Sequence, residues 1–145
     1  MISLFELFEH KADIGVRGIG VTREEAFEEC GHALFEAMVN TKRVEPIKSA
    51  KFKASGTDLG ALLVAYLNEL LFLKDTKKMV YSKFRLKITE LTEGKGYALE
   101  GVVFGEKFDS KKHAPKTDAK AATYSQLLVE KQQDGKWVAQ CIIDV

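Results

Sequence analysis

Residues 57–75, TDLGALLVAYLNELLFLKD, constrain this chain more than any other stretch. Leu59, Leu62, Leu63, Tyr66, Leu67, Leu70 and Leu71 follow the i, i+3, i+4, i+7 spacing of one helical face. Ala61, Val64, Ala65, Phe72 and Leu73 carry apolar character round the rest of the surface, and Thr57 is placed to cap the first turn. A helix apolar on most sides has to be covered on most sides. Only one other helix is legible, TREEAFEECGHALFEAMV. Thr22 caps it, Glu25 closes a capping box, Glu24 sits in the first turn, and Asn40 is the expected stop. Phe27, Cys30, Leu34 and Met38 lie on its apolar face. Cover for the more apolar helix must therefore come largely from sheets.

Strands fill most of the remainder. Residues 3–9 and 15–21 read as an opening pair, the second with glycines that weaken it or allow close backbone approach. Residues 47–54 form a further strand. From Met79 the period becomes two, with Phe84, Leu86 and Ile88 alternating with Lys83, Arg85 and Lys87. Residues 97–104, 122–131 and 136–143 follow, the last two joined by QQDG, where Asp134-Gly135 favours a tight hairpin. The expected fold is α+β, a single domain over residues 1–145. Two amphipathic helices pack against or between antiparallel or mixed sheets of about seven strands.

Composition narrows the function classes. Twenty-two basic against 21 acidic residues give +1, which argues against a domain that grips nucleic acid through its net field. With 46% hydrophobic and 30% charged residues the chain is not of the disordered class. Cys30 and Cys141 lie in apolar patterns and read as reduced core residues. No leader pattern opens the chain, because Glu6 interrupts the apolar residues 5–8. Asn68 and Glu69 interrupt the longest apolar run, so no membrane span is expected, and the expected compartment is the cytoplasm.

Polarity gathers at two places where strands should hand over, FEHKADIG at 8–15 and CIIDV at 141–145. Asp13 and Asp144 are both strand-end carboxylates, and the α-carboxylate of Val145 adjoins the latter. If the two ends meet, converging acids need a cation or a proton, and an all-oxygen set suits a hard divalent ion. Read alone, an Asp in an Asp-Ile-Gly turn such as Asp13 most often caps its own backbone, and a penultimate Asp such as Asp144 is most often simply solvated. His10, His32 and His113 lack the paired spacing of zinc sites.

Residues 105–120, GEKFDSKKHAPKTDAK, are polar and too long for a tight turn, the signature of a functional or mobile loop. His113 with Lys111, Lys112 and Lys116 could take a phosphate, or the lysines could simply be solvated. Phe104 and Phe108 beside lysines could stack on bases, although Phe104 is expected to face the core. Thr123, Tyr124 and Ser125 offer hydroxyls without a base at fixed spacing.

Taken in order, these motifs resemble the archease family, activators of the tRNA-splicing RNA ligase. FEHKADIG is similar to the family's opening signature, and TREEAFEECGHALFEAM and LLVAYLNELLFL to its two helices. GEKFDSKKHAPKTDAKAATY resembles its Gly-Glu … His … Lys-Ala … Thr-Tyr segment, and the terminal Ile-Asp-Val its C-terminal end. The resemblance covers essentially the whole chain. It implies a non-enzymatic accessory protein that promotes guanylylation and turnover of the ligase, reaching tRNA only through it. It further implies metal binding at Asp13, Asp144 and Val145, with Ca2+ or another divalent cation. His10, Lys11, His113, Lys120 and Ser125 become candidate contacts with the partner or its nucleotide. Two positions depart from the pattern: Lys11 stands where threonine is usual, and Ser125 where histidine is usual. The rival readings are a small acid-pair hydrolase for phosphate or glycosidic substrates, and a stand-alone RNA-binding module centred on Lys111, Lys112 and Lys116.

Overall fold

Both helices lie between two sheets, the only arrangement that covers the apolar surface of residues 57–75 on most sides. The structure is a computed structural model and describes residues 3–10 and 12–145. Its elements are β1 (Leu4–His10), β2 (Asp13–Gly20), α1 (Arg23–Met38), a 3-10 turn (Thr41–Arg43), β3 (Lys48–Gly56), α2 (Leu59–Lys77), β4 (Met79–Glu90), β5 (Tyr97–Lys107), the single turn α3 (Ser110–His113), β6 (Ala121–Ala122), β7 (Leu128–Lys131) and β8 (Trp137–Asp144). The larger sheet runs β1-β2-β8-β6 with β7 also on β8, and the smaller runs β3-β5-β4. Every described strand pair is antiparallel. The fold is thus α+β as expected, with eight strands among the described residues.

α1 packs on β2, β1 and β8 and reaches across to β4. α2 covers β3 and β5 and touches β6 and β7 on the other side. The glycines of β2 serve close approach: a Cβ at Gly18 would collide with the α1 backbone at Ala26 and Cys30. Where the helices meet, Tyr66 lies between the rings of Phe27 and Phe52, with centroids 5.9 and 5.8 Å away. Gly31 of α1 leaves room for its hydroxyl. Cys30 and Cys141 are free and buried, as expected.

Thr22 caps α1 by accepting the Glu25 N–H at 3.1 Å, and Glu25 accepts the Val21 N–H at 2.9 Å. α2 is capped by Asp58, whose Oδ1 accepts the Ala61 N–H at 2.8 Å, and not by Thr57. The carboxylate reaches the N3 amide from one residue later, so the helix starts at Leu59. Two further glutamates of α1 face the side of β4 that β5 leaves open. Glu28 accepts the Leu86 N–H at 2.9 Å and Glu24 the Ile88 N–H at 3.2 Å. Burial raises the Glu28 carboxyl above its ordinary range, opposed by the Leu86 N–H.

Three further expectations are corrected. Residues 122–131 are not one strand: β6 ends at Ala122, a turn follows, and β7 begins at Leu128. Thr123 and Ser125 direct their backbone groups to Ile142, which breaks the ladder. Phe104 does not face the core, because Leu99 and Val103 occupy the inward positions of β5 and Phe104 takes the opposite parity. The 105–120 segment is no free loop. It contains α3, and Asn40, Lys116 and Thr117 tie it by backbone bonds across the end of α1.

Candidate functional site

The ends of β1, β2, β8 and β6 make one row. His10 pairs with Asp13 to close the first hairpin. The β2–β8 ladder runs as far as Ile14 opposite Ile143, and one further step in that register sets Asp13 opposite Asp144. Asp144 in turn pairs with Ala121 of β6. Val16, Cys141 and Ile143 fill the inward positions of these strands, so the acids share the outward face. Directly opposed residues on antiparallel strands hold their Cβ atoms about 4.5–5.5 Å apart.

Asp144 is exposed, and Asp13 and Val145 are half-buried. Among the described residues no hydrogen bond or ion pair reaches either aspartate's carboxylate. Arg17, on the same face of β2, is committed to Gln140 at 2.8 Å, Glu6 at 3.1 Å and the Phe8 ring at 4.5 Å. Like charges facing each other across a ladder repel, so the row favours a cation. His10 adds a buried Nδ1 with no hydrogen-bond partner among the described residues. Lys11 lies outside the described residues. No group of three or more His, Cys, Asp or Glu side chains gathers as a metal-holding set among the described residues. The oxygens of Asp13 and Asp144 nevertheless have the hardness a calcium-like ion takes, and the Val145 carboxyl group would be a third donor.

A helix residue fixes the far side of the row. Asn68, in the centre of α2, accepts the Ala122 N–H at 2.8 Å and donates to the Ala122 carbonyl at 3.4 Å, standing in for a neighbouring strand. The Lys120 N–H then donates to the Asp144 carbonyl at 2.8 Å, which brings the exposed Lys120 beside the acids. Thr123 Oγ1 donates to the Ile142 carbonyl at 2.8 Å. Ser125 is exposed in the turn that follows, and its carbonyl accepts the Ile142 N–H at 3.1 Å.

His113 is placed quite differently, at 0% exposure. Its Nδ1 accepts the Asp109 N–H at 2.9 Å, which leaves Nε2 to donate to Glu106 at 2.9 Å. Glu106 also accepts the Glu45 N–H at 2.9 Å and pairs with Lys112 at 2.9 Å, and Lys112 continues to Glu45 at 2.8 Å. The Glu45 N–H, then His113 and Lys112, pull the Glu106 carboxyl down to about 2. The ring is thus enclosed within the fold and presents no contact surface. Lys116 is likewise occupied, by Glu36. A cleft of about 380 Å3 lies between the ends of α1 and α2, floored by Met38, Val39, Met79 and Phe108. Its two acids, Asp75 and Asp118, both bind Lys74, at 3.1 and 3.6 Å, so they do not form a hydrolytic pair.

Sequence reading missed Asn68 and Glu106 as organising residues. An amide at the middle of a leucine-rich helix was the available signal for Asn68. Glu106 stood in the Gly-Glu … His segment that carries the resemblance, but its bond to the Glu45 amide joins residues remote in sequence.

Comparison with known proteins covers nearly the whole chain. Residues 5–145 match the Archease protein family. The "Protein archease" of Pyrococcus furiosus is 45% identical over 141 residues, covering 97% of this chain and 98% of that protein. That of Sulfurisphaera tokodaii is 40% identical over the same coverage. The solution structure of Methanobacterium thermoautotrophicum protein 1598 superposes with a TM-score of 0.78 at 30% identity, covering 97% of this chain and 98% of that one.

Proposed function

The chain belongs to the archease family, and on that premise we propose that it activates a tRNA-splicing RNA ligase by promoting the ligase's guanylylation and turnover. Membership supports an accessory, non-enzymatic role in tRNA splicing at the level of the family. The observation that carries the finer reading is the register that aligns Asp13 with Asp144 on one outward face. Asp13, Asp144 and the carboxyl group of Val145 would hold a divalent ion, calcium first, and the ion would neutralise the gathered charge and offer open coordination positions to a partner. His10 at the end of β1, Lys120 just before β6 and Ser125 in the turn after β6 are the contacts proposed for the ligase or its nucleotide. Lys11 belongs with them by sequence. His113 is assigned a structural part instead. Among the described residues no helix is long and apolar enough to cross a membrane.

The test adds the protein in substoichiometric amount to a purified ligase of this type, with and without calcium, and reads covalent nucleotide transfer. Each protein molecule should act on many ligase molecules, and Asp13→Asn or Asp144→Asn should remove most of the stimulation. Absence of stimulation by the unaltered protein would sink the ligase reading. Turnover of a phosphate or glycosidic ester by the protein alone would overturn its accessory character.

A further inference from the structure

The outward face of the smaller sheet carries a charge unlike that of the whole molecule. Its cross-strand rows follow from the register: Ser49, Phe104 and Lys83; Lys51, Val102 and Arg85; Lys53, Glu100 and Lys87. Phe52, Val103 and Phe84, at the alternate positions, are buried, which turns these nine side chains to solvent. Five of the nine are cations and one is an acid, in a chain whose net charge is +1.

The cations are weakly engaged. Lys53 and Glu100 approach at 4.0 Å with side chains 82% and 70% exposed, a loose surface pair. Arg85 lies in the field of Glu28 at the β4 edge. Among the described residues no ion pair holds Lys51, Lys83, Arg85 or Lys87. The loop lysines Lys112 and Lys116, by contrast, are held by internal carboxylates. Between Lys51, Lys53, Arg85 and Lys87 runs a shallow groove of about 560 Å3 over Val102. At one end of this field Lys83 Nζ stands 5.7 Å above the centre of the half-buried Phe104 ring.

We propose that this sheet face docks single-stranded nucleic acid, its phosphates on the Lys51, Arg85 and Lys87 side chains and a base on Phe104 in place of the Lys83 ammonium. Successive outward residues of β4 stand about 6.8 Å apart and neighbouring strands about 4.8 Å apart. The cations therefore form a track and not a point, which suits a chain of phosphates. An aromatic face within the track is the other component of single-strand grooves, since any base can stack on it. An acidic protein surface would satisfy the charge but give Phe104 no role. The inference stands independently of the ligase reading, because it concerns a different face and needs no partner protein.

Fluorescence anisotropy of a labelled oligouridylate of about ten nucleotides, across a salt series and with the ligase absent, tests it. Neutralising three or four phosphates should give a log–log salt slope of about −2 to −3. The triple variant Lys51→Glu, Arg85→Glu, Lys87→Glu should lose at least about tenfold in affinity, and Phe104→Ala about fivefold. Lys111→Glu, outside the track, should bind as the unaltered protein does. Unchanged binding by the triple variant would overturn the proposal. So would competition by polyglutamate as effective as by unlabelled oligouridylate, which would assign the face to acidic proteins. Guanylylation of the ligase measured without RNA should be untouched in the triple variant, so the two readings can fail separately. Equal melting curves for all variants certify the fold.

Discussion

Two polar clusters lie at the same end of the molecule, where β2 begins, α1 ends and residues 109–120 cross between them. In one, both ring nitrogens of His113 and both carboxylate oxygens of Glu106 are bonded within the cluster or to backbone, and Lys112 links Glu106 to Glu45. In the other, Asp13 and Asp144 stand in register with no partner for either carboxylate among the described residues. The histidine cluster is the more chemical of the two in sequence, set among lysines, yet its satisfied bonds make it a fastener. The aspartate pair is plain in sequence, and its unmet charge leaves something for another molecule to supply. Completeness of bonding, more than residue type, separates the two roles.

The sharpest way to break this contrast is to cut the fastener. His113→Ala should cost about 3 kcal/mol in urea unfolding, since it leaves a cavity and strips a partner from both Glu106 and the Asp109 N–H. A loss below about 1 kcal/mol would mean the cluster is not structural. Asn68→Ala comes next, at about 2 kcal/mol, because the backbone of the buried Ala122 loses both bonds. It should also weaken ligase stimulation by releasing β6 from the acid row, and an effect on stability alone would detach β6 from the site. A smaller signature is acid sensitivity. Glu106 sits at about 2 against an ordinary value of 4.5. A carboxyl depressed in the native state adds stability above its unfolded value and loses it as pH falls toward the native one. Stability should decline between these two values, and Glu106→Gln should flatten that part of the profile. Smallest of all, Asp13→Asn with Asp144→Asn should change calcium-free stability by no more than about 0.5 kcal/mol, toward greater stability, because like charges no longer face each other. Calcium should raise the melting temperature of the unaltered protein and not of this variant.

Local patterns carried most of the architecture into view. The all-round apolar surface of α2 demanded two covering layers, and period two from Met79 marked β4 and β5. Short-range chemistry also placed the acids at strand ends. What sequence could not supply was long-range pairing. That Phe104 turns outward depends on the register of β5 against two neighbours, and that residues 122–131 break depends on Ile142 drawing backbone bonds from Thr123 and Ser125. The burial of His113 depends on Glu106 and the Glu45 amide arriving from elsewhere in the chain. The link between Asp13 and Asp144 became visible in sequence only through family likeness, because a partner 131 positions away leaves no local trace.

The glutamates that α1 sends to β4 have an effect beyond the single molecule. A sheet border with free amides is a template on which another polypeptide can add itself and propagate. Glu24 and Glu28 occupy the amides of Ile88 and Leu86, so the chain blocks assembly along that border with its own side chains. Truncating both would leave that border able to recruit another copy, and self-association on storage at high concentration would report it.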